Sequence, residues 1–141
     1  MVDDVILNKT ATIERCVARA REEFTLAGDG FYSNLSRQDA AVLNIQRACE
    51  AALDAGYYLI RRDRLGLPQS ARDVFDLLVQ AGRIEPALAA GLKKMVSFRN
   101  IAVHEYQRLL LPIVEDIITR HLDEFLAFNH ALLTHERSNS H

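Results

Sequence analysis

The chain has 141 residues, of which 49% are hydrophobic and 26% charged, with a formal net charge of −2 and no tryptophan. That length fits one domain (1–141) with room for a real core, and no stretch reaches the roughly eighteen consecutive apolar residues that a membrane span requires. The slight acidity counts against a nucleic-acid surface spread over the whole protein, because such surfaces carry excess Lys and Arg.

In chain order, Val5, Ile6, Ala11, Ile13, Cys16, Val17, Ala20 and Phe24 recur at helical spacing, which predicts an amphipathic helix from residue 4 to about 26, ended by Gly28 and Gly30. Met1-Val2-Asp3-Asp4 lacks the basic start and apolar run of a signal peptide, so a cytoplasmic location is expected. Phe31 to Leu35 reads as a loop. Ser36, followed by Asp39 three residues later, predicts the cap of a second helix running to about Arg64. Ala41, Ile45, Ala48, Cys49, Ala52, Leu53, Gly56 and Ile60 give that helix a stripe of small side chains that lets another helix come close. Its other face carries Asp39, Arg47, Glu50 and Asp54, either as a solvated face laced by intrahelical ion pairs or with Asp39, Arg47 or Glu50 reaching the region of Arg99 and His104.

Gly66-Leu67-Pro68-Gln69 is a turn, and Ser70 caps a short third helix with Val74, Leu77 and Leu78 on its apolar side. Pro86 opens a fourth helix, whose Leu88, Leu92, Met95, Val96 and Val103 continue the core. Pro112 opens the last, lined by Ile113, Ile117, Ile118, Leu122, Phe125, Leu126 and Leu133. Residues 134–141 form a polar tail expected to fray, leaving an ordered core of about 4–133. With no strand signal, the fold class is all-α, an up-and-down bundle of about five helices. Cys16 and Cys49 read as small core residues rather than a disulfide, and no histidine stands at metal-ligand spacing from either, so no metal is expected.

One stretch does not fit a plain bundle. Ser97-Phe98-Arg99-Asn100-Ile101-Ala102-Val103-His104-Glu105-Tyr106 places four strongly hydrogen-bonding side chains at the end of a buried helix. Each would cost roughly 1–3 kcal/mol if buried without a partner. On a continuous helix Asn100 and His104 share one face, and Arg99, Val103 and Tyr106 another. Arg99 and His104 diverge by about 140° and on the order of 9 Å. Two copies packed across a two-fold axis would bring both pairs into one cleft, so the spacing points to a homodimer. Lys93, Lys94 and Arg99 form a local basic strip suited to binding a phosphodiester.

Arg99-Asn100, three residues, then His104, Glu105 and Tyr106 resembles the signature of HEPN-domain ribonuclease toxins, and most closely the HepT subfamily. Ser36-Arg37-Gln38-Asp39, the run from Asn44 to Glu50, and the run from Leu67 to Asp73 are similar to that subfamily's other characteristic segments. The likeness spans about residues 4–130. It implies a HEPN-like fold and the toxin half of a type VII toxin–antitoxin pair, an endoribonuclease acting on tRNA or mRNA. It also implies an MntA-like nucleotidyltransferase antitoxin that transfers AMP to Tyr106.

RNA carries its own nucleophile in the 2′-hydroxyl, so cleavage needs only a base, an acid and a cation, with no cofactor. Histidine suits the proton transfers and arginine the phosphate. His104 is then general base or acid, Arg99 steadies the pentacovalent phosphate, Asn100 orients either, and the product ends in a 2′,3′-cyclic phosphate. Other readings stay open at this point. Arg99 could pair with Glu50 or Asp54, Tyr106 could simply anchor the helix end, and the chain could be a non-catalytic HEPN-like partner of a nucleotidyltransferase or a bare dimerisation bundle.

Overall fold

A computed structural model of the protein describes residues 2–138. Helix α1 (Asp4–Ala27) begins where the Asp3 carboxylate accepts the amide of Val5 at 2.8 Å, satisfying one of the helix's free donors. It stops at Gly28, whose φ of 54° and ψ of −135° suit a residue without Cβ. In place of the expected loop, a 3₁₀ turn over Gly28–Ser33 drops Phe31 into the core, its ring 5.0 Å from that of Phe24.

Helix α2 (Leu35–Asp63) is capped by Asn34 and not by the predicted Ser36. The Asn34 side chain accepts the amide of Arg37 at 3.1 Å, and Ser36 falls inside the first turn. Asparagine caps as well as serine, and Asn34 holds the extended backbone a cap needs. The two helices form an antiparallel hairpin. Tyr58 and Arg62 near the end of α2 reach Asp3 at the start of α1, and Arg37 at the start of α2 reaches Glu23 near the end of α1. The predicted stripe from Ala41 to Ile60 is buried throughout.

Helix α3 (Ala71–Gln80) has the predicted cap, with the Ser70 hydroxyl accepting the Asp73 amide at 3.3 Å. It lies so close to α2 that a Cβ on Gly56 would stand 2.4 Å from Val74 Cγ1. Helix α4 (Pro86–His104) starts on its proline and buries Leu92, Met95, Val96, Phe98 and Ala102. Val103, predicted for the same stripe, is 46% exposed, because Ala102 takes the inward position in that turn.

After α4 come a 3₁₀ turn (Tyr106–Arg108), helix α5 (Leu111–Asp116), a π turn (Ile117–His121) and helix α6 (Leu122–Ser138). The last three follow without a break, so the bundle has the five rods expected, and no strand occurs among the described residues. Ile113 was predicted to face the core but is 51% exposed, while Val114 is fully buried. The π turn adds a residue to its turn and brings Ile117 and Ile118 inward together. Helix α6 runs past the predicted 4–133 core because Glu136, 8% exposed, accepts two N–H groups of Arg62 at 2.8 Å each. Residues 139–141 of the predicted tail lie outside the described residues.

Both cysteines are free and buried, and burial pushes the Cys49 thiol up to about 12, as suits inert core residues. No helix among the described residues is long and apolar enough to cross a membrane.

Candidate active site

The last two turns of α4 deliver the side chains that the sequence singled out. The Arg99 side chain is half-buried along an open hollow of about 520 Å³ between α2 and α4 that Glu50, Asp54 and Tyr57 also line. Its Nε is buried and has no hydrogen-bond partner, and the guanidinium pairs with no acid among the described residues. The two acids nearest in the sequence reading are engaged elsewhere. Glu50 accepts the Gln46 amide at 3.0 Å, and Asp54 pairs with Lys9 of α1 at 3.3 Å. Leaving such donors unmet in a part-buried place is costly, and a planar five-donor fork left open is a ready receptor for phosphate.

Asn100 and His104 sit one turn apart on the outer face, both exposed, and neither side chain has a partner among the described residues. His104 is the final residue of α4, so its imidazole stands at the end of the rod with solvent on its open side. A histidine so placed can take or give a proton without first breaking an internal bond.

Tyr106 departs from the helical register in which the sequence placed it beside Arg99 and Val103. Helix α4 ends two residues earlier, and Glu105 turns the chain with φ −143° and ψ 51°. No glycine or proline marks this stop. It comes from tertiary contacts: the Tyr106 hydroxyl donates to the Asp39 carboxylate of α2, and Leu109 and Leu111 pack on the core. Burial, and then the neighbouring Asp39 carboxylate, push the Tyr106 phenol up to about 12. Asp39 therefore holds Tyr106, two residues past His104, and among the described residues pairs with neither Arg99 nor His104. The intrahelical ion pairing that the sequence also allowed does not occur, since none of Asp39, Arg47, Glu50 and Asp54 pairs with another among the described residues.

The predicted basic strip divides. Lys93 is tied to Asp76 of α3 at 2.9 Å, and Lys94 faces a separate hollow of about 480 Å³ on the far side of α4. That second hollow holds a feature that no sequence motif singles out. The π turn sets the ring of His121 between Asp116 and Glu124, at 3.1 and 3.2 Å. The only trace in the sequence was an acid on either side of a histidine, which a regular helix would not have brought onto both ring nitrogens. Among the described residues no group of three or more His, Cys, Asp or Glu is placed to hold a metal ion.

An all-α bundle whose fourth helix ends in an open arginine and an open histidine defines the class as HEPN-like. The profile of the family described as Ribonuclease HepT-like matches residues 13–132. The chain is 46% identical over 129 residues to a protein of Shewanella oneidensis named mRNA nuclease HepT, covering 90% of this chain and 95% of that one. It superposes with a TM-score of 0.88 and 42% identity on a tri-AMPylated Shewanella oneidensis HEPN toxin in complex with MNT antitoxin, covering 94% and 98% of the two chains. A toxin–antitoxin crystal structure with AMP-PNP gives a TM-score of 0.87 and 43% identity, covering 94% and 99%. The chain belongs to the HepT-like ribonuclease family.

Proposed function

We propose that this protein is the toxin of a type VII toxin–antitoxin pair. It is a single-domain cytoplasmic endoribonuclease that cuts RNA without a metal and is silenced by AMP transfer to Tyr106. The observation that carries the reading is Arg99, a half-buried guanidinium left without an acid one helical stretch away from an unpartnered His104. The relatives described as an mRNA nuclease and as an AMPylated toxin bound by its antitoxin support it.

The chemistry follows from the groups. Arg99 takes the scissile phosphate through parallel N–H bonds and keeps its charge as the phosphorus becomes pentacovalent. His104 removes the proton of the 2′-hydroxyl or supplies one to the departing 5′-oxygen, and Asn100 steadies the ring or the phosphate. Lys93 and Lys94 assist by holding the strand, with Lys94 the freer of the two. The fragment upstream ends in a 2′,3′-cyclic phosphate.

Arg99 and His104 leave the helix about 140° apart, which leaves a single copy poorly arranged to use both on one phosphate. A second copy across a two-fold axis supplies the missing group. Exposed Tyr57 and Val103, which line the hollow with Arg99, give such a contact apolar area. The intact pair also favours an enzyme over a non-catalytic partner of a nucleotidyltransferase.

The test is cleavage of end-labelled RNA in the presence of a chelator, with the product ends identified by mass spectrometry. A cyclic phosphate that forms with the wild type and not with His104→Ala is expected. Equal cleavage by the two proteins would refute the mechanism.

A further inference from the structure

If Tyr106 receives AMP, its own side chain is a poor nucleophile as the protein holds it. With the phenol pushed up to about 12, only on the order of one molecule in 10⁵ is ionised near neutral pH, so transfer needs something to take the proton. The group in contact with the hydroxyl is the Asp39 carboxylate, whose Oδ1 accepts its hydrogen bond. Among the described residues no other charged group acts on that hydroxyl. Gln38, Val42, Leu109, Leu111 and Val114 line the hollow beside the ring, and the adjacent Glu105 carboxylate is paired with Arg108. Asp39 is exposed and Tyr106, though partly buried, keeps 41% exposure, so a nucleotide held by a partner protein can reach them.

We infer that Asp39 is the general base for this protein's own modification, a catalytic group that the toxin supplies to the reaction that silences it. This rests on the reading of Tyr106 as the acceptor. Tyr106 Oη forms a bond to the α-phosphorus of a nucleoside triphosphate held by the nucleotidyltransferase. The bond from that phosphorus to the bridging oxygen breaks, pyrophosphate leaves with the electron pair, and the phenolic proton passes to Asp39 and on to water.

The test follows AMP transfer from MgATP to the full chain by intact-mass spectrometry, using the nucleotidyltransferase encoded beside it, between about pH 6 and pH 9. Wild type, Asp39→Asn, Asp39→Glu and Tyr106→Phe are compared. Asp39→Asn should be slower by about 10²–10⁴-fold at neutral pH. Its rate relative to wild type should climb with pH as hydroxide replaces the missing base, and Asp39→Glu should recover a large part of the loss. Transfer to Asp39→Asn at the wild-type rate overturns the inference. So does a slow variant whose pH profile parallels the wild type and which Asp39→Glu does not rescue, because that pattern belongs to a contact that only shapes the turn. Adenylate still found on Tyr106→Phe overturns the Tyr106 assignment itself, and this inference with it.

Discussion

Two arginines in this small bundle are used in opposite ways. Arg62, near the end of α2, donates to Asp63 through Nε, to Glu136 and Asp3 through Nη1, and to Asp63 and Glu136 through Nη2. Arg99, near the end of α4, donates to no acid among the described residues, and its Nε is buried with no partner at all. The first fastens the C-terminal helix to the α1/α2 hairpin. The second, on the proposed reading, is the group kept open for a phosphate. The difference separates an arginine that builds the fold from one with no acid to hold, although both lie near the ends of long helices.

The comparison can be broken at either end. Replacing Arg99 by Ala should lower cleavage by about 10²–10³-fold, the usual loss when a donor to transition-state charge is removed. The melting temperature should stay within a few degrees, since no ion pair is broken. Replacing Arg62 by Ala should do the reverse. Glu136, 8% exposed, would lose its partner, at a cost of about 2–3 kcal/mol, less than for a fully buried pair because Arg62 keeps 29% side-chain exposure. Thermal denaturation would register that loss while turnover per folded molecule stays level.

Packing gives an effect of the next size. Gly56→Ala drives a methyl into Val74 and should cost about 1–3 kcal/mol in chemical denaturation. Acid sharpens the comparison more gently. Arg62, ahead of Arg83, holds the Asp63 carboxyl at about 2, below its ordinary 3.8, and Glu136 is lowered by Arg62 as well. A carboxyl depressed in the folded state stabilises the protein above its unfolded value and loses that contribution as pH falls through its folded value. For Asp63 the loss should therefore fall between about pH 4 and pH 2, and it should shrink in Arg62→Ala. The smallest effect expected is at Lys94→Ala, where the salt dependence of RNA binding should flatten by about one unit of log–log slope with cleavage otherwise kept.

Much of this architecture was legible from the chain itself. The helical spacing from Val5 to Phe24, the Ser70 cap, the Pro86 start and the small stripe from Ala41 to Ile60 are local signals, and the structure follows them. So was the crowding of Arg99, Asn100 and His104 at one helix end. What the sequence concealed depends on contacts between residues far apart. The stop after His104 is enforced by Tyr106 reaching Asp39, 67 positions earlier, with no glycine or proline to announce it. The extension of α6 to Ser138 rests on Glu136 meeting Arg62, 74 positions away. Ile113 and Val103 read as core by periodicity alone, but one precedes a π turn and the other faces outward beside a buried alanine. The split of the basic strip likewise follows from Asp76, on another helix, capturing Lys93.

The pairing of arginine and histidine across two copies is open to a direct trial by subunit mixing. Arg99→Ala and His104→Ala proteins are each purified, shown to be dimeric and inactive on RNA, then dissociated and reassociated together. Random pairing puts one intact arginine opposite one intact histidine in half of the dimers, so cleavage should return to about a quarter of the wild-type level. A mixture that exchanges subunits yet stays as inactive as either variant alone would contradict the shared site.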